Sequence, residues 1–194
     1  MSKKKVEQYL VRIKNCRLSY AYIWEPATFK NQDKDKERYS ASLIISKNDK
    51  ATIAQIKKAV EQAKDEGKLK LWGGVIPNPA NFGEPLHDGD IEKAMKDAAY
   101  ENAYFINAKN KRKPGVFDQH CRPITDETKV YSGCYCNVDV AFYPYDNTGC
   151  GVSASLVQIQ LVREGEPLGG ISAPAFEEVS DEEAPLEELP DFMK

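Results

Sequence analysis

The sequence predicts a mainly β protein, a β-barrel with inserted helices. Apolar residues alternate at period two in several segments, most clearly over 130–143. One amphipathic helix follows the second of about five strand segments. This order is compatible with an OB fold, a five-stranded Greek-key barrel with elaborations, although the pattern alone does not separate it from another β-sandwich. The 194 residues, 41% of them hydrophobic, are enough for one good-sized core.

The first strand is predicted over residues 9–24. After Val11 and Ile13 the alternation changes phase near Asn15, and the residues that follow are expected to share one face. These residues are Cys16, Leu18, Tyr20, Tyr22 and Trp24. A polar, charged loop follows, and the second strand is predicted over 39–45.

The inserted helix is predicted to begin at an Asn48 or Asp49 cap and to run to about Glu66, with Gly67 as its stop. Its apolar face comprises Ile53, Ile56, Ala59, Val60 and Ala63. The stretch 72–90 is rich in Gly, Pro and Asn and is predicted as loop. A short helix over 91–100 is expected to present Ile91, Ala94, Met95 and Ala98.

The remaining strands are predicted over 103–108, 116–117, 130–143 and 152–163. In the longest of them one set of side chains points one way, namely Cys134, Cys136, Val138, Val140 and Phe142. The turn at 146–149 favours a hairpin into the last strand. There Val157, Ile159 and Leu161 are expected to share an apolar face.

The charge is distributed unevenly along the chain. Residues 1–173 carry 26 basic and 22 acidic residues, whereas 174–194 carry eight acidic residues and only Lys194 as a base. We therefore predict a folded domain over 1–173 and a disordered acidic tail over 174–194. Such a tail is typical of a solubilising terminus, and equally of a segment that competes with nucleic acid for a basic groove and offers an apolar tip to partner proteins.

The strongest binding signal is a set of basic residues interleaved with aromatic residues. The candidates for phosphate contact are Lys109, Lys111, Arg112 and Lys113, in a loop between two strands. The candidates for base stacking are Tyr20, Tyr22, Trp24, Trp72 and Phe117, and Lys70 lies close to Trp72 in the sequence. Cations that follow phosphates beside rings that stack bases would form a groove for single-stranded nucleic acid. Alternatively, the aromatics belong to the core and the lysines to a solvated rim.

Two chemical alternatives have weaker support. A zinc site would use His120, Cys121, Cys134 and Cys136, but this spacing is not that of a zinc knuckle, and buried reduced thiols are the simpler interpretation. A metal-dependent nuclease would use Asp88 and Asp90, close to His87 and Glu92. No phosphate-binding glycine loop or nucleophile triad is present, so we predict neither a cofactor nor an enzyme.

The sequence also predicts a cytoplasmic protein without a membrane partner. No apolar run reaches the roughly eighteen residues that a membrane span needs, and no apolar signal core follows the basic N-terminus. The five cysteines are an odd number without the spacing of a disulfide scaffold, which favours a reducing compartment.

Five short segments occur in an order that is similar to one known family. They are YSASLIISK (39–47), PLHDGD (85–90), YSGCY (131–135), FYPYDN (142–147) and VREGEPLGG (162–170). Together they resemble the bacteriophage single-stranded DNA-binding proteins over most of residues 9–170. The resemblance implies an OB fold without catalysis, which binds and protects single strands during phage DNA replication or recombination in the cytoplasm of the infected or lysogenic bacterial host.

The resemblance extends to the acidic tail, which is similar to the partner-docking tails of replication single-strand binders. It implies that Asp191 and Phe192 would contact replication or recombination proteins. Met193 and Lys194 follow Phe192 here, so the aromatic residue is not terminal. A protein–protein adaptor of the replication or recombination machinery is the alternative function, and the sequence leaves open a homodimer and the preference between DNA and RNA.

Overall fold

The computed structural model describes residues 7–27, 37–77, 81–147 and 149–169. Within them the strands are β1 (Tyr9–Ala27), β2 (Arg38–Ser46), β3 (Phe82–Gly83), β4 (Leu86–Asp88), β5 (Ala103–Asn110), β6 (Gly115–Phe117), β7 (Tyr135–Asp146) and β8 (Cys150–Arg163). The helices are α1 (Lys50–Lys70) and α2 (Gly89–Glu92). Single 3₁₀ turns lie at Ala98–Tyr100 and Glu127–Lys129.

Five of these strands close into a barrel in the order β1-β2-β5-β8-β7 and back to β1. Every neighbouring pair is antiparallel except β5 and β8, which meet in parallel where Ala108 lies opposite Ala154. The short strands β3 and β6 extend the sheet at β8, and β4 extends it at β5. The predicted mainly β fold and its five-stranded OB barrel are confirmed.

The core fills the barrel, and α1 packs against β1 and β7. The inward side chains of β7 are those that the alternation predicted, and Cys136, Val138, Val140 and Phe142 are fully buried. The predicted apolar face of α1 is also buried. None of the helices in the described ranges combines the length and the apolar character that a membrane crossing requires.

The pairing of the first strand shifts register at three points, where the sequence predicted one change of phase. The predicted change at Asn15 is confirmed, because this residue has a φ of 48° at a bulge between the Ile13 and Cys16 pairs. A second irregularity occurs at Tyr20, whose φ is 47°. Cys16 therefore points inward while Tyr20 and Tyr22 are 56% and 44% exposed, so the prediction of one shared face is wrong.

The helix α1 does not stop at Gly67. Asp49 caps its first turn by accepting a hydrogen bond from the Thr52 amide, as predicted, but the helix continues to Lys70. Gly67 is buried against the Trp72 ring, and a Cβ at this position would overlap that ring. The glycine serves close packing rather than helix termination.

The region 91–100 lacks the predicted apolar helix face. The helix α2 ends at Glu92, and Ile91 and Met95 are 81% and 98% exposed. Two aspartate caps, at Asp88 and Asp97, divide the segment into separate short turns, which prevents one continuous face. Tyr100 is instead the buried anchor of this segment.

The prediction that three residues of β8, Val157, Ile159 and Leu161, share an apolar face is correct for two of them. Ile159 is fully buried, and Leu161 is partly buried against the core. Val157 is 39% exposed, because the pairing with β7 shifts register at this point and leaves Val157 between the Leu156 and Gln158 pairs.

Asp139 carries a buried charge on β7. Its carboxylate accepts hydrogen bonds from Arg12 at 2.7 and 2.8 Å and from the Gln158 amide at 2.7 Å. The hydrogen bond from Arg12 lowers the pKa of Asp139, and Gln158 adds to this shift against the opposing effect of burial. The ionised carboxylate therefore stabilises the fold.

We expect Asp139→Asn to lower the free energy of unfolding at neutral pH by about 1–3 kcal/mol, because hydrogen bonds to a charged group are lost. The contribution of a carboxylate whose folded pKa is lowered is complete above its unfolded pKa, about 3.9, and is lost as the pH falls through the folded value. Denaturant unfolding of both proteins at neutral pH and near pH 3 tests this. If the difference in the free energy of unfolding between the two proteins were the same at both pH values, the prediction would be wrong.

Candidate nucleic-acid interface

A groove of about 830 Å³ lies between β5, the β7–β8 hairpin and the segment that joins β3 to β4. Its cations are Arg38, Lys109 and Lys111, and its rings are His87, Tyr143 and Tyr145. Of the described residues that line the groove, only Glu84 is acidic. Its carboxylate pairs with Lys64 at 2.8 Å. The groove therefore has an excess of positive charge and suits an anionic ligand.

Asn110 fixes the basic loop at the edge of the groove. Its amide donates to the Ser155 hydroxyl at 3.1 Å and to the Leu156 carbonyl at 2.9 Å, which ties the end of β5 to β8. Its carbonyl oxygen accepts from the Arg112 backbone amide at 3.1 Å. The side chains of Lys111, Arg112 and Lys113 are exposed on this anchored turn.

The wall of the groove at Tyr145 rests on Trp72. The Trp72 indole donates to the Tyr145 carbonyl at 3.3 Å and packs edge-on against Phe82 with ring centroids 5.2 Å apart. Gly83 leaves room for the Tyr145 hydroxyl. Burial raises the pKa of that hydroxyl still further above neutral pH, so it stays protonated and is able to donate a hydrogen bond. Trp72 itself is buried, which leaves its ring no free face for stacking in this conformation.

The outer face of the barrel places a ring and a cation in one row. Tyr22 on β1 lies opposite Ser40 on β2, and Ser40 lies opposite Lys109 on β5. Because adjacent strands are about 4.8 Å apart, the backbones of Tyr22 and Lys109 are separated by about 10 Å. The small Ser40 side chain between them leaves the sheet open to a flat ligand.

A second ring and cation meet beside the basic loop. The Lys113 ammonium lies 5.4 Å from the centre of the Trp24 ring. The Trp24 indole donates to the Val130 carbonyl at 2.9 Å, which fixes the plane of a ring that is only partly buried. Sequence reasoning named both residues, and the fold brings them together.

Other residues that the sequence predicted to bind nucleic acid or partner proteins are not among the described residues of the groove. Lys70 pairs with Glu66 at 2.6 Å on α1. Phe117 lines a separate cavity of about 160 Å³ together with Arg12 and Asp139. Asp191 and Phe192, with the whole predicted tail over 174–194, lie outside the described residues.

The carboxylates considered for a nuclease are engaged in ion pairs. Lys47 contacts Asp88 at 2.7 Å and Asp90 at 2.6 Å, and its hydrogen bond lowers the pKa of Asp90. His87 lies 3.0 Å from Glu92. Across the ranges that the structure describes, no three His, Cys, Asp or Glu side chains are grouped to hold a metal ion.

Sequence reasoning missed several residues of the groove. Tyr143 is the last residue of the predicted strand, and Tyr145 follows on the same face of β7, beyond the point where the predicted strand ended too early. A predicted strand that ended at Asp146 would have placed Tyr145 beside Tyr143 at the hairpin. Arg38 and Asn107 carry no comparable signal, since only the pairing of β2 with β5 brings them to the groove.

Known proteins share this arrangement of sequence and fold. The family described as "Enterobacter phage Enc34, ssDNA-binding protein" matches residues 9–187, almost the whole chain. The chain belongs to this family. The resemblance drawn from the five ordered segments is thereby confirmed. One relative, protein p50 of Acyrthosiphon pisum secondary endosymbiont phage 1, is 33% identical over 177 residues, which cover 88% of this chain and 92% of p50.

Solved structures from two phages share the fold of the family. The single-stranded DNA-binding protein from bacteriophage Enc34 in complex with ssDNA superposes with a TM-score of 0.72 at 21% identity, over 87% of this chain and 97% of that one. The single-stranded DNA-binding protein gp2.5 of bacteriophage T7 gives a TM-score of 0.58 at 18% identity, over 90% and 100%. Both structures are similar to this chain in fold.

Proposed function

We propose that this protein binds and protects single-stranded DNA without catalysis, during phage DNA replication or recombination. The observation that carries the proposal is the position of Lys109. It lines the cationic groove and also shares a row of the outer face with the exposed ring of Tyr22. Membership of a family described by ssDNA binding supports the same conclusion.

The geometry matches what a single strand offers. Its phosphates lie along the strand and attract the ammonium and guanidinium groups of the groove and the basic loop. Its unpaired bases expose flat faces, which stack on Tyr22 and Trp24 and on the tyrosines of the hairpin. Ring faces accept any base, so we expect binding that tolerates sequence. A duplex hides the base faces and gains only the phosphate contacts.

Fluorescence anisotropy with a labelled poly-dT oligonucleotide tests this function, with a duplex of equal length as the control. The titrations are run at two salt concentrations without metal. We expect tight, salt-sensitive binding to the single strand and much weaker binding to the duplex. If the single strand does not bind at either salt concentration, the proposal is wrong and the adaptor function takes its place.

The acidic tail over 174–194 is proposed to compete with DNA for the same cations and to dock partner proteins through Asp191 and Phe192. Its net charge of −7 opposes a +4 body. The segment that leads to it is held beside the outer face. Arg17 donates to the Glu166 carbonyl at 2.8 Å, and the Leu168 amide donates to the Ser132 carbonyl at 2.8 Å. Leu168 also packs against the buried cluster formed by Ile44, Tyr100, Ala103 and Phe105.

Deletion of 174–194 is therefore expected to tighten DNA binding at low salt. A tail that covers the groove about nine-tenths of the time weakens apparent affinity about 10-fold, because only the uncovered fraction binds. The matched control keeps the tail at full length and replaces its eight acidic residues by their amides, which should give the same gain. Unchanged or weaker binding after deletion would refute the competition.

A further inference from the structure

Lys93 lies against three aromatic rings on the outer face of the barrel. Its ammonium is 4.7 Å from the centre of the Tyr20 ring, 4.6 Å from that of Tyr100 and 4.7 Å from that of Phe105. The ammonium also donates to the Tyr100 hydroxyl at 3.4 Å. Within the described ranges it forms no ion pair with a carboxylate. The rings thus fix the position of this cation without neutralising its charge.

The fold holds this arrangement in place before any ligand binds. Tyr100 is fully buried, and its hydroxyl donates to the Ser42 hydroxyl on β2 at 3.2 Å. Phe105 projects from the same outer face of β5 and packs edge-on against Tyr100, with centroids 5.2 Å apart. Tyr20 owes its outward position to the second irregularity of β1 and keeps 56% of its surface exposed.

The Lys93 cluster is continuous with the groove. The His87 ring lines the groove and stacks on Phe105 at 4.9 Å between centroids, nearly parallel at 18°. Phe105 and Lys109 project from the same face of β5, four residues apart, which corresponds to about 13 Å. A strand that leaves the groove past Asn107 therefore meets Lys93 and Tyr20 next.

We propose that Lys93 and Tyr20 form a second subsite for the single strand, beyond the groove. Lys93 contacts a backbone phosphate, and the exposed face of Tyr20 stacks the adjoining base. This subsite rests on the proposed function and extends it by naming where the strand runs. It also accounts for a cation that is held among three aromatic rings.

The test uses the full chain and poly-dT oligonucleotides of graded length, from about 5 to about 20 nucleotides, which spans the usual site sizes of one OB fold. Lys93→Gln is compared with Lys96→Gln, which removes the same charge from an exposed position on the same turn. We expect Lys93→Gln to bind the longest oligonucleotide about 5-fold more weakly near 0.1 M salt, with a salt slope smaller by about 0.7, as one lost phosphate contact predicts. The shortest oligonucleotide should bind Lys93→Gln and the unaltered protein equally well.

Lys93→Arg keeps the positive charge and should keep the affinity for long oligonucleotides. Thermal unfolding of each variant shows whether a loss of affinity comes from a loss of stability. An equal loss at all lengths, or the same loss in Lys96→Gln, would overturn the subsite alone. Tighter binding by Lys93→Gln would also overturn it, since Lys93 would then hold acidic residues of the tail. Failure of the unaltered protein to bind any length would overturn the proposed function and the subsite with it.

Discussion

Replacing Lys109 and Lys111 together by alanine is expected to weaken binding of single-stranded DNA about 25-fold near 0.1 M salt. Both ammonium groups line the groove, and Lys109 also lies in the row that contains Tyr22. Each phosphate contact contributes about 0.7 to the slope of log affinity against log salt for a single strand, so two contacts contribute about 1.4. This electrostatic contribution vanishes at about 1 M salt. At 0.1 M salt, which is tenfold lower, losing it reduces the affinity by about 1.4 log units, or about 25-fold.

The matched control is Lys57→Ala with Lys58→Ala, which removes two exposed charges from α1. It changes the net charge equally but lies outside the groove, so its salt slope should remain close to that of the unaltered protein. Salt-dependent anisotropy titrations measure all three proteins. Equal slopes for the two double variants would show that net charge, rather than the groove, determines the binding.

Much of the fold could be predicted because the alternation of side chains records which face is buried. The β7 pattern from Cys136 to Phe142 identified the core side chains correctly. The phase change at Asn15 indicated a real bulge. In each case the signal is local, since burial of one face imposes period two on the strand itself.

The errors arose where a distant residue decides the local structure. Gly67 resembles a helix stop, but its small size is required by Trp72, which packs back onto the helix. The second phase change at Tyr20 is hidden because tyrosine is compatible with either face. At Val157 the register with β7 sets the exposure, and one strand alone does not reveal it.

The kinds of residue in the candidate site could be predicted from the sequence, but not the full set of residues that form it. The basic loop is contiguous in sequence, so Lys109 and Lys111 could be identified directly. Arg38 and Lys93 come from separate segments and join the surface only through pairing and packing across the sheet. Trp72 was chosen for its ring, yet burial makes it a support for Tyr145.

Tyr22→Ala is expected to weaken binding of single-stranded DNA by about 5- to 150-fold, which corresponds to the 1–3 kcal/mol typical of one base stacked on an aromatic side chain. The ring is 44% exposed and lies in the row with Ser40 and Lys109, so its removal takes away a stacking surface without opening the core. Thermal unfolding should therefore change little. The salt slope should also stay the same, because no phosphate contact is lost.

The control variants separate stacking from other effects of the tyrosine. Tyr22→Phe keeps the flat ring and should retain most of the affinity, whereas Tyr22→Leu keeps apolar volume without a π-face and should resemble the alanine variant. Loss of affinity in Tyr22→Phe would assign the contribution to the hydroxyl rather than to the ring. Retention in Tyr22→Leu would show that apolar contact suffices, and the row would then not be a stacking platform. Because Lys109→Ala should lower the salt slope where Tyr22→Ala does not, the pair of variants distinguishes phosphate contact from base stacking within a single row of the sheet.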